Sequence, residues 1–232
     1  MTRIPHRLLA ACLWLVPGAA GPAHAEVAVL QADHDATLVE DPAGALANGS
    51  GPVLTAGRNN QTESSIRRAL LRFDVAGTLP RQAIVESVSL TLFMEPSNAT
   101  VRVLTLRRLQ QEWGEGPSSS SGGGGVASQA GDATWIHTFY DNELWSEEGG
   151  LFTEEPRASL EVGDTGFWTW GTTPALEADV RLWAANPDRN FGWIVIGDEA
   201  VRQSAKSFAS REAADAALRP TLTITYRLPG SP

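Results

Sequence analysis

The sequence predicts an all-β protein: a jelly-roll-type antiparallel β-sandwich with one short capping helix over about residues 173–186 and a long irregular insertion over about residues 110–166. Three observations lead there. Apolar residues recur with a period of two over most of the chain, which is the signature of half-buried strands. The alternating runs are short and are separated by turns drawn from 22 Gly and 14 Pro, the punctuation of a sandwich rather than of a parallel sheet. One segment alone carries helix-cap chemistry together with helical spacing.

Taken in order, residues 1–25 read as a signal peptide. Arg3 and Arg7 precede the apolar run Leu8 to Val16, and Ala23-His24-Ala25 supplies small residues for cleavage after Ala25. Leu9-Ala10-Ala11-Cys12 spells a lipoprotein box, but Cys12 lies inside the apolar run with Leu13 to Val16 still to come. Residues 26–228 are expected to form a single sandwich domain, followed by a short tail at 229–232. Val27, Val29 and Gln31 alternate with Ala28 and Leu30, and Thr37-Leu38-Val39 follows as a second short strand. Arg67 to Phe73 and Ser87 to Met94 carry the clearest strand signal, with Val88, Leu90, Leu92 and Met94 on one face. Val101 to Leu106, Trp193 to Ile196 and Thr221 to Tyr226 complete the set. One core is expected, drawn from Leu70, Phe73, Val88, Leu90, Leu92, Val101, Val103, Ile194, Ile196, Leu222 and Ile224. The helix begins at Thr173, an N-cap residue ahead of Pro174, places Leu176, Val180 and Trp183 on one stripe, and stops at Asn186-Pro187.

The composition excludes several function classes. A net charge of -9, with Lys206 the single lysine, disfavours a binder of phosphate backbones, so nucleic acid is not the expected partner. Loss of residues 1–25 removes two arginines and no acid, taking the charge to -11, and also removes the one cysteine. No later run reaches the roughly 20 apolar residues of a membrane-spanning helix, so no transmembrane segment is expected. The expected location is outside the cytoplasm: periplasm, cell surface or medium. With His34 and His137 remaining after Ala25 and no mature thiol, zinc, thiol and serine-triad chemistry are disfavoured.

The insertion concentrates what chemistry there is. Ser118 to Gly125, four Ser followed by four Gly, is expected to be an exposed loop tip. Around it stand Trp113, Trp135, Trp145 and Tyr140 among acids that include Glu115 and Asp132. Sugar rings present apolar C–H faces that stack on aromatic rings, while carboxylates take their hydroxyls. Trp113, Glu115, Asp132, Trp135, Tyr140 and Trp145 are therefore the expected ligand-binding residues, on one rim of the sandwich. A lyase would need a His or Tyr base beside an Arg; His137 and Tyr140 with Arg107 or Arg211 are the residues available, but i and i+3 of a strand face opposite ways. No catalytic residue is assigned and no cofactor is required. For a metal, Asp33 and Asp35 flank His34 and offer the oxygen ligands a structural calcium ion takes.

The order of motifs resembles a known family. Arg68-Ala69-Leu70-Leu71-Arg72-Phe73-Asp74, Leu79-Pro80 and the strand Ser87 to Phe93 resemble the opening of DNRLRE domains, secreted modules grouped with carbohydrate-binding modules. Trp113-Gly114-Glu115-Gly116 and Thr134-Trp135 are similar to that family's Trp-x-Glu-Gly and Thr-Trp signatures. The helix to Trp183, Asn190-Phe191-Gly192-Trp193, Phe208-Ala209-Ser210-Arg211-Glu212 and Arg219-Pro220-Thr221-Leu222 complete the likeness, which runs from Val27 to Tyr226. The hexapeptide that names the family is absent, and the Ser and Gly loop lengthens the span from Glu115 to Thr134. The resemblance implies a jelly-roll module of secreted or surface proteins, with polysaccharide binding in some members. Arg211 or Glu212 is expected to make a structural ion pair or hydrogen bonds rather than to catalyse.

Two functions lead the reading of this sequence, ahead of a polysaccharide lyase: a non-catalytic module that binds a polysaccharide or cell-surface glycan through exposed aromatics, and a structural or surface-assembly domain without a small ligand. The exposure of Trp113, Trp135 and Trp145 separates them.

Overall fold

Alternation of side chains along the strands builds two sheets with one apolar face each turned toward the other, as a computed structural model describes for residues 24–229. The signal-peptide reading lies outside the described residues except at His24 and Ala25, as does the tail beyond Pro229. The strands are β1 (Ala25–Gln31), β2 (His34–Val39), β3 (Leu46–Asn48), β4 (Val53–Arg58), β5 (Ile66–Arg72), β6 (Ile84–Met94), β7 (Arg102–Arg108), β8 (Val126–Ala127), β9 (His137–Phe139), β10 (Glu143–Leu144), β11 (Ala158–Val162), β12 (Gly166–Trp170), β13 (Trp193–Ile196), β14 (Lys206–Ala209) and β15 (Thr221–Arg227). All pair antiparallel. The first sheet runs β1-β15-β6, with β12 and then β14 and β4 continuing from β6. The second places β2, extended by β3 and β8, on one side of β5 and β13, β7 and β11 on the other. β4 joins the two, because Val53 to Ala56 pair with β14 whereas Gly57 and Arg58 pair with β5.

Between the sheets lies the larger core. Val88, Leu90, Leu92, Met94, Leu222 and Ile224 meet Ala69, Leu71, Leu104, Leu106 and Val195 there. Each fully buried side chain of this kind stabilises the fold by about 1.5–3 kcal/mol relative to exposure. The helix α2 (Pro174–Ala185) follows a four-residue turn of helix, α1 (Val75–Thr78), that the sequence reading does not anticipate. The Thr173 hydroxyl accepts the Leu176 amide at 3.1 Å, so the expected cap is in place. Leu176, Val180 and Trp183 are buried in the same core, Trp183 with its ring 4.5 Å from that of Trp193. Asp179, also buried, receives the Trp193 indole N–H at 2.9 Å and lies against Arg108 and Arg157 at 2.9 and 3.2 Å, fastening α2 to β7 and β13.

Three expectations are corrected. Val101 and Val103 are 55% and 51% exposed, because Leu104 and Leu106 take the inward parity of β7 when it pairs with β11 and β13. Leu70 and Ile194 are buried on the opposite side of the second sheet, in a separate core, with Ile196 partly buried against it. The irregular part of the insertion ends before Ala158, where β11 begins.

The Ser and Gly loop is likewise not a free tip. Ser118 is buried: its Oγ accepts the Gly49 amide at 2.9 Å, its carbonyl accepts the Ser50 amide at 2.7 Å, and its own amide donates to Asp132. The Ser120 amide donates to Asn48, the Arg67 guanidinium donates to the Gly123 carbonyl, and β8 pairs with β3. Partners supplied by neighbouring elements offset the chain entropy that a run of Ser and Gly must lose.

Candidate functional site

The indole-bearing residues of the insertion are packed, and the expectation of an exposed aromatic rim is corrected. Trp113, Trp135 and Trp145 are 3%, 8% and 6% exposed. They cover the outer side of the second sheet, where Ala36, Leu38, Leu70, Leu109 and Ile194 form the second core with them. The polar edges of Trp113 and Trp145 are also engaged. The Trp113 N–H donates to the Phe191 carbonyl at 2.8 Å, and that of Trp145 to the Thr134 carbonyl at 2.9 Å. Arg68 lies over the Trp135 ring at 4.7 Å while its guanidinium grips both oxygens of Glu199, at 2.7 and 3.0 Å, and the Gly149 carbonyl.

The acids separate into distinct settings. Asp132 is buried and acts as a loop clasp: Oδ1 accepts the Ser118 amide at 3.1 Å and Oδ2 the Gln129 amide at 2.6 Å. Burial pushes its carboxyl above the usual range against the pull of those amides. It presents nothing to a ligand, which corrects its assignment as a binding residue. Asp33 and Asp35 do not act together either. Asp33 lies 2.9 Å from Arg72 and 3.1 Å from His34. Burial raises Asp33, but the hydrogen bonds from His34 and Arg72 outweigh it and hold it at about 2. Asp35 instead joins Glu115 and Glu212. Its amide donates to Glu115 Oε1 at 2.9 Å, and its Oδ2 accepts the Arg211 amide at 2.7 Å.

Arg211 makes the ion pairs expected of it, from Nη1 to Glu115 at 3.0 Å and to Glu212 at 2.8 Å. Burial, with Glu212 and Glu115 adding to it, drives the Asp35 carboxyl well above the usual range, although the Arg211 amide opposes this. Gly116, at φ +67°, allows the chain to turn at Glu115; a side chain there would meet Asp132 Oδ1 at 2.0 Å. Glu115 is therefore part of a carboxylate cluster that joins β2, the insertion and the turn after β14.

Of the six expected residues, Tyr140 lines an open depression. The depression has a volume of about 490 Å³ and is lined by Glu112, Phe139, Tyr140, Asp141, Asn142 and Glu143 together with Ala130 and Gly131. It is held by β9 and β10 and by backbone bonds from Gly131 to Tyr140 and from Tyr140 to Asp132, at 2.7 and 2.8 Å. The His137 and Tyr140 rings meet edge to face at 5.1 Å, contrary to the strand argument, because Tyr140 lies in the turn just past β9. No arginine is among the described residues lining this depression. Arg211 is held in the cluster above, and Arg107 donates to the carbonyls of Thr153 and Glu154.

Sequence reasoning placed Glu112, Phe139, Asp141 and Glu143 in the insertion with Tyr140 but assigned none of them to the site, and it missed Asn142. The local signal for them was a Phe-Tyr pair followed by Asp-Asn-Glu, side chains that present rings and hydroxyl-binding groups from one turn. No described helix is long and apolar enough to cross a membrane. No family model matches the chain, and no curated protein matches its sequence.

Proposed function

We propose that the chain is an exported, non-catalytic β-sandwich module that binds a neutral polysaccharide or cell-surface glycan in the depression around Tyr140. The observation that carries this reading is the composition of that depression: two half-buried aromatic rings, Phe139 and Tyr140, beside the exposed side chains of Glu112, Asp141, Asn142 and Glu143. Rings supply the apolar surface for a sugar face, and carboxylates with an amide accept and donate to its hydroxyls. The three carboxylates repel uronates, so a neutral chain fits and a polyanion does not. By analogy with aromatic pairs, one stacked sugar contributes about 1 kcal/mol beyond area burial, so useful affinity needs several contacts together and repeated modules or units raise the avidity. The resemblance to DNRLRE modules points the same way.

The test is a pull-down on neutral and acidic polysaccharides with the parent, Tyr140→Ala and Asp141→Ala proteins. Binding to a neutral polymer that both substitutions abolish, at unchanged melting temperature, supports the reading. Equal binding by the Tyr140→Ala protein removes the depression as the site. A second reading, a structural or surface-assembly domain, is favoured by the burial of Trp113, Trp135 and Trp145. Absence of binding to every polymer selects it.

A further inference from the structure

The carboxylate cluster at one end of the sandwich is a site of a different kind. One carboxylate oxygen from each of Asp35, Glu115 and Glu212 lies within 4.8 Å of the other two. A calcium–oxygen bond of about 2.3–2.6 Å spans a diameter of about 4.6–5.2 Å, so three oxygens at this spacing can all reach one ion. Crowded acids are common and by themselves mean little. What distinguishes this group is Asp35: it has no exposed surface, and its Oδ1 has no hydrogen-bond partner among the described residues. A buried carboxylate oxygen left without a donor is costly unless a cation or proton meets it.

The charges are unequal as well. Three carboxylates face one guanidinium, that of Arg211, so with all three ionised, as around a bound cation, two negative charges are left for that cation to offset. Glu115 and Glu212 retain 16% and 23% of their side-chain surface, so the cluster opens to solvent on their side and closes on Asp35.

We propose that Asp35, Glu115 and Glu212 hold one calcium ion, which links β2, the insertion and the turn after β14. The site shares Asp35 with the ligand pair expected from sequence but not Asp33, whose carboxylate is committed to Arg72 and His34. Hard oxygen ligands, water access on one side and a charge deficit of two suit calcium; magnesium demands a tighter octahedron at about 2.0–2.1 Å and holds its water. Affinity belongs to the extracellular class, with Kd of about 0.1–1 mM. The ion fastens the insertion to both sheets, so its effect is on stability, and it does not depend on a glycan being bound.

The experiment uses protein purified after export, stripped with chelator and returned to calcium or magnesium. Millimolar calcium raises the melting temperature by about 4 °C, as a ligand in about tenfold excess over its Kd does for a chain of this length. Magnesium gives a smaller shift. Terbium, excited through the indole of Trp113 two residues from Glu115, luminesces and is displaced by calcium. Glu212→Gln abolishes both the shift and the luminescence while leaving the chelator-treated protein folded; Asp35→Asn does the same if it folds. A parent protein with neither shift nor luminescence overturns the proposal and leaves Asp35 holding a proton. Signals retained in Glu212→Gln and Glu115→Gln place the ion elsewhere and overturn it equally.

Discussion

Lys206, the single lysine of the chain, is fully buried on β14, and among the described residues no carboxylate is hydrogen-bonded to it. Its ammonium donates to three carbonyls, those of Asn98, of Thr100 at 2.7 Å and of Gly163 at 2.8 Å. It thereby ties the β6–β7 connection to the β11–β12 turn. Burial pushes the ammonium below its ordinary value, Arg102 adds to this, and Asp164 opposes it. Replacement by Met keeps the length of the side chain and removes all three donors. The carbonyls of Asn98 and Thr100 flank an exposed loop and regain water, whereas Gly163 is buried and its oxygen goes unpaired. Each charge-assisted bond is worth about 1.5–3 kcal/mol net, and a stranded carbonyl costs about 1–3. Relief of ammonium desolvation offsets part of the loss, leaving Lys206→Met less stable by about 3 kcal/mol. Urea unfolding at fixed pH measures this directly, the midpoint shifting at constant slope. A second readout follows from the composition: Lys206 carries the only side-chain amine, so acylation of its tryptic peptide tracks unfolding. A loss under 0.5 kcal/mol, or native-state acylation as fast as that of a free lysine, refutes the reasoning.

Three further outcomes follow from the packing. Trp113→Ala empties the second core and strands the Phe191 carbonyl, costing about 3–5 kcal/mol in urea unfolding, where an exposed rim residue would cost under about 0.5. Asp179→Asn leaves Arg108 and Arg157 facing a neutral amide in a buried setting and lowers stability by about 3 kcal/mol, read from thermal unfolding. Asp132→Ala removes the acceptor of the Ser118 and Gln129 amides; limited proteolysis then cuts between Ser118 and Gly125 in the folded protein, where the parent resists.

Strand parity was legible wherever polar residues marked it. Ser87 to Leu92 alternates strictly, and its apolar set is the buried one. Val101 to Leu106 carries apolar groups on both parities, so only pairing with β11 and β13 decides that Leu104 and Leu106 face inward. The second core left a trace of the same kind. Ala69-Leu70-Leu71 and Trp193-Ile194-Val195 are apolar on both faces, which means that both faces are covered, and the indoles of the insertion are the cover. That inference needs the strands placed in one sheet first. The carboxylate cluster draws on residues 35, 115 and 212, and no spacing rule connects positions so far apart; the likeness of Trp113 to Gly116 and of Ser210 to Glu212 to family motifs marked two of its three segments. Tyr140 is put forward from residue type, whereas which residues share its depression depends on the turn between β9 and β10.

The most direct test of glycan binding at Tyr140 uses the two tyrosines of the chain. Tyr140 lines the depression, and Tyr226 is 8% exposed with its hydroxyl donating to Glu26 at 2.9 Å. Fluorotyrosine incorporated at both gives two fluorine resonances, assigned with Tyr140→Phe. Titration with neutral cello-, xylo- and chito-oligosaccharides moves the Tyr140 resonance in a saturable manner with at least one of them and leaves that of Tyr226 in place. Resonances that stay fixed with every sugar, or a shift confined to Tyr226, contradict the account.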